Sequence, residues 1–239
     1  MYFQRFLVAV SAVAVLSQPG QAATCSDLSL VLAIDGSSSI DAAEFALQVA
    51  GYAAAFADPG VQKALSATGV TDVAVVFWAD ADFLPRVIPW TRIQGAGDAM
   101  ALSQELLSTR RAVLGSTDIG AGLMTALDLL DRPDRCTARA VINVSGDGRA
   151  SAGSRRRPLV SLSAAVERAR HLGVTINGLA ILNEEPDLEY YYQKYVITGP
   201  GAFVMAVSGF DTFGAAIIQK LEREIGPAMS ASLDSDLVR

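Results

Sequence analysis

Asp35, Ser37 and Ser39 stand at alternate positions within Leu28–Ile40, LSLVLAIDGSSSI, where an apolar run ends in an acid, a glycine and three serines. One carboxylate and two hydroxyls supply oxygen donors only. That set suits a hard cation such as Mg2+ or Ca2+ and suits Zn2+ poorly. Two further segments carry oxygen donors of the same kind, Gly115-Ser116-Thr117-Asp118 and Ser145-Gly146-Asp147-Gly148. Taken singly, each admits a plainer reading: Asp35 caps the next helix, and the others form turns.

The elements around these residues place every donor at an element end. The run before Asp35 is bounded by Gly and Ser and reads as a strand buried on both faces, of the kind that presents ligands at its carboxyl end in a parallel sheet. Ala140–Val144 is a second such strand and delivers Ser145 to Gly148. Thr117 opens a helical pattern through Ile119, Leu123, Ala126, Leu127 and Leu130. Elsewhere, helices are expected at Asp41–Ala57, near Val61–Ala67, at Asp98–Thr109, Pro158–His171 and Asp211–Ile225. Strands are expected at Val70–Trp78, Val174–Leu182 and Ala202–Val207, with a polar, tyrosine-rich stretch between the last two. Arg86–Ile93 contains Pro89, so it is an edge strand or an extended segment. The alternation βαββααβαβ(α)βα implies a parallel sheet with helices on both faces and right-handed crossovers.

The three donor segments, in this order, resemble the von Willebrand factor A domain, whose metal-ion-dependent adhesion site uses Asp-x-Ser-x-Ser, a distant Thr and a distant Asp. Asp35, Ser37, Ser39, Thr117 and Asp147 match those five positions, and the resemblance covers residues 26–225. The whole pattern, including Val87-Ile88-Pro89-Trp90-Thr91, is similar to a bacterial exported branch of that family. The resemblance implies a doubly wound, mostly parallel six-stranded α/β sheet in the order 3-2-1-4-5-6, with Arg86–Ile93 as its one antiparallel edge strand and helices on both faces. It also implies that the five residues divide direct and water-mediated ligation of one Mg2+ (or Mn2+ or Ca2+). One coordination position is then left for an Asp or Glu of a protein partner, and no enzymatic base is required. In the resembled fold the strands that follow Cys25 and Cys136 are sheet neighbours. Parallel neighbours lie about 4.8 Å apart, within the Cα separation that a disulfide tolerates, so the resemblance implies a Cys25–Cys136 bond at the end of the sheet opposite the metal.

Arg5, an apolar stretch from Phe6 to Leu16, then Pro19, Gly20 and small residues have the layout of a secretory signal peptide over residues 1–22. The apolar stretch is too short to span a bilayer. A lipid anchor on Cys25 is the rival, and Thr24 is an unusual residue to precede a lipidated cysteine. A periplasmic or secreted bacterial protein is expected, with an oxidising compartment that favours the disulfide. Residues 226–239 lack periodicity and are expected to form a loose tail. The formal charge is −6, and removal of Arg5 with the signal makes it more negative, which argues against nucleic acid or an anionic lipid surface as the main partner.

Other chemistries find little support. No dinucleotide or P-loop glycine pattern follows any strand, and no Gly-x-Ser-x-Gly elbow occurs. The one histidine, His171, falls at a helix end, where the helix dipole accounts for it. A metal-dependent hydrolase would need a base near the cation, for which Asp118 is the only well-placed residue. A purely structural cation is the third possibility. Three features stay open: the basic loop with Arg155, Arg156 and Arg157 is a rim for an acidic partner or a solvated loop, Asp80 and Asp82 are a second cation site or turn residues, and Tyr190, Tyr191, Tyr192 and Tyr195 are a contact surface or packing over the sheet edge.

Overall fold

The eight residues of β1, Leu28–Asp35, are all buried, which places this strand at the middle of the sheet and each of its faces under a helical layer. The computed structural model describes residues 25–80, 82–151 and 160–226. The expected signal segment, the Arg155–Arg157 loop and the chain beyond Gly226 lie outside these. The remaining strands are β2 Thr71–Trp78, β3 Arg86–Ile93, β4 Ala140–Gly146, β5 Thr175–Ile181 and β6 Val204–Val207. Six strands form one sheet in the order β3-β2-β1-β4-β5-β6. Only the β2–β3 pair is antiparallel. This is a von Willebrand factor A-like α/β fold.

Seven helices among the described residues complete it: α1 Ala42–Ala57, α2 Pro59–Thr68, α3 Ala96–Ser108, α4 Ile119–Leu130, α5 Leu162–His171, α6 Leu188–Tyr195 and α7 Phe210–Ile225. Alternation along β1 divides the core in two. Leu28, Leu30, Leu32 and Ile34 face α1, α2, α3 and α7, and Val31 and Ala33 face α4, α5 and α6. Local chemistry starts α1 where the sequence indicates and α2 at Pro59, two residues before the expected Val61. Asp41 and Glu44 form a reciprocal capping box at α1, and Asp58 caps α2 with Pro59 at its first position.

Three further boundaries differ from expectation for identifiable reasons. α3 begins at Ala96 rather than Asp98, because the Asp98 carboxylate reaches back to the Gln94 N–H at 2.9 Å and supports an earlier turn. α5 begins after Ser161, whose hydroxyl accepts from the Ala164 N–H. β6 begins only at Val204, since the Phe203 N–H donates to the Asn177 side chain instead of to a ladder. The tyrosine-rich stretch forms α6. Pro89 is accommodated as its lack of an N–H requires, on the edge strand β3, where the register against β2 shifts between Val73 and Val75.

Cys25 and Cys136 are bonded, with Cα atoms 4.8 Å apart. Ser26 pairs with Thr137 in parallel just inside the bond, so the disulfide continues the β1–β4 pairing at the amino ends of both strands. The same end of the sheet carries a charged cluster. Asp72 takes a bidentate contact from Arg92 at 2.9 and 3.1 Å and a third from Arg135 at 2.7 Å, and Arg135 stacks on Trp90 with 3.8 Å to the ring centroid. Burial raises the Asp72 carboxyl, but the Arg92 bond and the charges of Arg92 and Arg135 outweigh burial and hold it below its ordinary value. A depressed folded-state pKa contributes stability above the unfolded value of about 4, and that contribution is lost as pH falls through the folded value. Asp72→Asn is therefore expected to lower stability at pH 7 by roughly 1–3 kcal/mol and to flatten the fall of the thermal midpoint below about pH 4. Midpoints measured between pH 2 and pH 7 check this, and an unchanged acid limb in the variant would exclude the assignment.

Candidate metal centre

β1 and β4 are adjacent and parallel, with Ile34 opposite Ser145, so Asp35 and Asp147 emerge from neighbouring strands at one end of the sheet. Asp35, Ser37, Thr117 and Asp147 are buried, while Ser39 reaches the exposed rim. A chain of hydrogen bonds links four of the five. The Ser37 N–H donates to Asp35 Oδ1 at 2.7 Å, the Ser37 and Ser39 hydroxyls are 3.1 Å apart, and Ser39 Oγ donates to Asp147 Oδ1 at 2.7 Å. Thr117 is held by backbone. The Ser38 N–H donates to the Gly115 carbonyl, the Gly115 N–H donates to Ser38 Oγ at 2.9 Å, and Thr117 exchanges two bonds with Ser151. Gly148 lies beside it, since a Cβ built there would stand 3.7 Å from Thr117 Oγ1.

Two carboxylates close together in a dry site are an electrostatic problem for the protein alone. Asp35 Oδ2 and Asp147 Oδ2 are buried with no hydrogen-bond partner among the described residues. Burial, opposed by the Ser37 N–H and reinforced by the Asp147 charge, pushes the Asp35 carboxyl up to about 7. Burial also raises Asp147, against the Ser39 bond and with Glu184 adding to the effect. A divalent cation reverses this logic by supplying the missing positive charge. The donor set of carboxylate and hydroxyl oxygens fits a hard cation. No cluster of three or more His, Cys, Asp or Glu able to hold a metal occurs among the described residues, so any cation here depends on the hydroxyls for the rest of its shell.

Two residues near the site escape sequence inspection, and a third, Tyr192, reads there only as contact surface or packing over the sheet edge. Arg111 lies across the loop after β1, its guanidinium donating to the Gly36 carbonyl at 2.9 and 3.2 Å, to Ser37 O and to Val113 O at 3.3 Å. Gln48 donates to the Asp35 carbonyl at 3.1 Å from α1. Tyr192 enters from the opposite face of the sheet, fully buried. None belongs to the Asp-x-Ser-x-Ser, Thr or Asp segments, and no local pattern marks Arg111 or Gln48. Asp118, the one candidate base, is spoken for: Oδ1 accepts from the Ala121 N–H at 2.9 Å and Oδ2 from the Val160 N–H at 3.0 Å, the geometry of a helix cap. Asp80 accepts from the Asp82 N–H and from both the N–H and hydroxyl of Ser116, which ties the β2 turn to the Thr117 loop.

The rim contains Glu44, Glu184, Glu185 and Arg149. Arg149 is paired with Glu185 at 2.9 Å and with Asp187, and its guanidinium lies 5.4 Å from the Tyr191 ring centroid. His171 is exposed at the end of α5, with Nδ1 2.9 Å from the Glu167 carbonyl.

A family model described as a protein of unknown function (DUF1194) matches residues 24–229. The chain belongs to the DUF1194 family. A comparison with curated proteins finds no match. Solved structures similar to this DUF1194 chain are von Willebrand A-like folds at low identity. The pilus adhesin SpaC from Lactobacillus rhamnosus GG, in its open conformation, is 12% identical with a TM-score of 0.57 over 84% of this chain and 30% of the adhesin. The chain thus spans less than a third of that protein. The von Willebrand factor domain of the type V pili tip protein Mfa5 from Porphyromonas gingivalis is 14% identical with a TM-score of 0.55, over 87% of this chain and 99% of that domain. Proximal thread matrix protein 1 from the mussel byssus, with a zinc-occupied MIDAS motif, is 18% identical with a TM-score of 0.52, over 83% and 45%. At these identities the likeness establishes the fold. No helix among the described residues is long and apolar enough to cross a membrane.

Proposed function

We propose that this protein is an exported, divalent-cation-dependent protein-binding module. In this reading Asp35, Ser37, Ser39, Thr117 and Asp147 hold one Mg2+, or Mn2+ or Ca2+, at the carboxyl end of the sheet. The observation that carries it is the pair of buried carboxylates, each with one oxygen lacking a partner, beside a row of hydroxyls. Burying two such charges without compensation is costly, and a cation offsets that cost. When bound, the cation supplies a Lewis-acidic position that accepts a carboxylate oxygen from an Asp or Glu of a partner protein. The chain's own residues keep their acids low in the site and their hydroxyls toward the rim. Arg111, bonded to the Gly36 and Ser37 carbonyls, fixes the loop that carries Ser37 and Ser39.

Support also comes from outside the chain: two fold neighbours are a pilus adhesin and a pilus tip protein, and a third holds zinc at its MIDAS motif. The domain is assigned to residues 26–225, with residues 1–22 as a cleaved signal and 226–239 as a tail. The Cys25–Cys136 bond suits a periplasmic or secreted location. A hydrolase reading is disfavoured because both oxygens of Asp118 serve backbone N–H groups.

Calorimetric titration of chelator-treated protein with Mn2+ and Mg2+ tests the site. Asp35→Ala is expected to fold and to lose at least about a hundredfold in affinity, since it removes a ligand rather than an outer contact. Capture of partners from periplasmic extract is expected with Mg2+, and not with chelator or with Asp35→Ala. Equal affinity in the variant would remove the site, and capture that ignores the metal would leave any cation a purely structural role.

A further inference from the structure

Tyr192 lies on α6 with no exposed surface, packed in the core layer that also holds Val31, Ala33, Val144 and Ala180. Its hydroxyl has no hydrogen-bond partner among the described residues. A tyrosine hydroxyl fully buried in an apolar layer normally finds a partner, because leaving it unpaired costs free energy that phenylalanine would not. Two glycines make the slot it occupies. A Cβ on Gly178 of β5 would stand 2.7 Å from Tyr192 Cδ1, so the ring lies against bare backbone. A Cβ on Gly146 of β4 would stand 2.8 Å from Tyr192 Oη and 2.7 Å from Asp35 Oδ2. The hydroxyl and the carboxylate oxygen therefore flank the same gap, within one water's reach of each other, and both lack a partner. The other Asp35 oxygen is already taken by the Ser37 N–H.

We propose that Tyr192 is a positioning residue of the metal centre, its hydroxyl being the outer hydrogen-bond donor that serves Asp35 Oδ2 across the Gly146 gap. This rests on the reading of Asp35 as a metal ligand. A carboxylate oxygen has two acceptor directions, so Oδ2 takes the hydrogen bond relayed from the tyrosine through one water on one side and remains available on the other. Such a donor orients the carboxylate from behind, as outer contacts do at other metal sites. It also gives the buried hydroxyl a use and accounts for the absence of a side chain at position 146. Through it, the placement of α6 bears on the metal site from the face of the sheet opposite α1.

Tyr192→Phe removes one oxygen and keeps the ring in its slot. Two measurements are made on parent and variant: the Mn2+ dissociation constant by calorimetry, and the thermal midpoint in excess chelator. The variant is expected to bind Mn2+ about 10- to 100-fold more weakly, with the chelated midpoint unchanged or raised. A hydroxyl with only a structural role would lower the chelated midpoint and leave the affinity alone, and that result, or a variant that no longer folds in chelator, overturns the proposal. Equal Mn2+ affinity in parent and variant overturns it while leaving the metal site intact. A parent that binds no Mn2+ overturns both.

Discussion

Removing the Cys25–Cys136 bond with a Cys25→Ser/Cys136→Ser variant is expected to cost about 4–5 kcal/mol of stability in the chain-entropy model. The reason is the length of chain it closes, 111 residues of sequence separation between two strands that are neighbours in the sheet. The hydrogen bonds that continue the pairing, such as the Ser26 N–H to the Cys136 carbonyl at 3.1 Å, exist only in the folded state and do not restrain the unfolded chain. Denaturant unfolding of oxidised parent and double variant measures the loss, and a difference below about 1 kcal/mol would place the effect outside that model. Because the bond sits at the amino ends of β1 and β4, and Asp35 and Asp147 at their carboxyl ends, Mn2+ affinity is expected to be the same in parent and folded variant.

Glu224→Leu is expected to be nearly as damaging, by about 3–5 kcal/mol. Glu224 and Lys220 are both buried on α7 and meet at 2.5 Å. The second Glu224 oxygen accepts from Asn143 Nδ2 at 2.7 Å, and Tyr52 Oη stands 3.0 Å from Asn143 Oδ1 and 3.1 Å from Ser145 Oγ. Asn143 Oδ1 only accepts, so the tyrosine proton goes there, and Ser145 donates to Tyr52. Burial lowers the Lys220 pKa, and Glu224 counters this. With Glu224 gone, Lys220 keeps the Asn177 carbonyl at 3.4 Å and the Phe203 ring, 5.7 Å to its centroid, but no opposite charge among the described residues it is bonded to, and must lose its proton or destabilise the fold. The paired replacement Lys220→Met/Glu224→Leu removes both charges and is expected to recover most of the loss, less about 1–3 kcal/mol for the Asn143 amide left without its acceptor. Urea unfolding of the single and double variants decides the matter. A double variant no more stable than the single one would show that the charges are not what hold α7 to β4.

Much of the candidate site was legible because its parts are local. Asp35, Ser37 and Ser39 share one loop, a buried strand ends where an apolar run ends, and a capping residue such as Asp41 announces a helix start by chemistry that acts over three or four residues. Pro89 excluded its own segment from the sheet centre for an equally local reason, the missing N–H. Order along the sheet was not local. Alternating strands and helices fit several arrangements, and the expected order came from resemblance to a known fold rather than from periodicity.

Sequence alone thus determined most of the strand and helix segments and where oxygen donors stand at their ends; that those donors follow the order of an adhesion-site pattern came from the resemblance. Tertiary structure decided what surrounds those donors. Arg111 reaches the Gly36 carbonyl from 75 residues away, and Asn143 meets Glu224 across 81; neither pairing leaves a trace in spacing. The tyrosines of α6 make the point most directly. Tyr190 and Tyr195 are 63% and 47% exposed while Tyr192 is fully buried, yet all lie in one eight-residue helix of similar composition. What separates them is a slot left by Gly178 and Gly146 on two other elements, and such a slot comes into being only when β4, β5 and α6 are packed together.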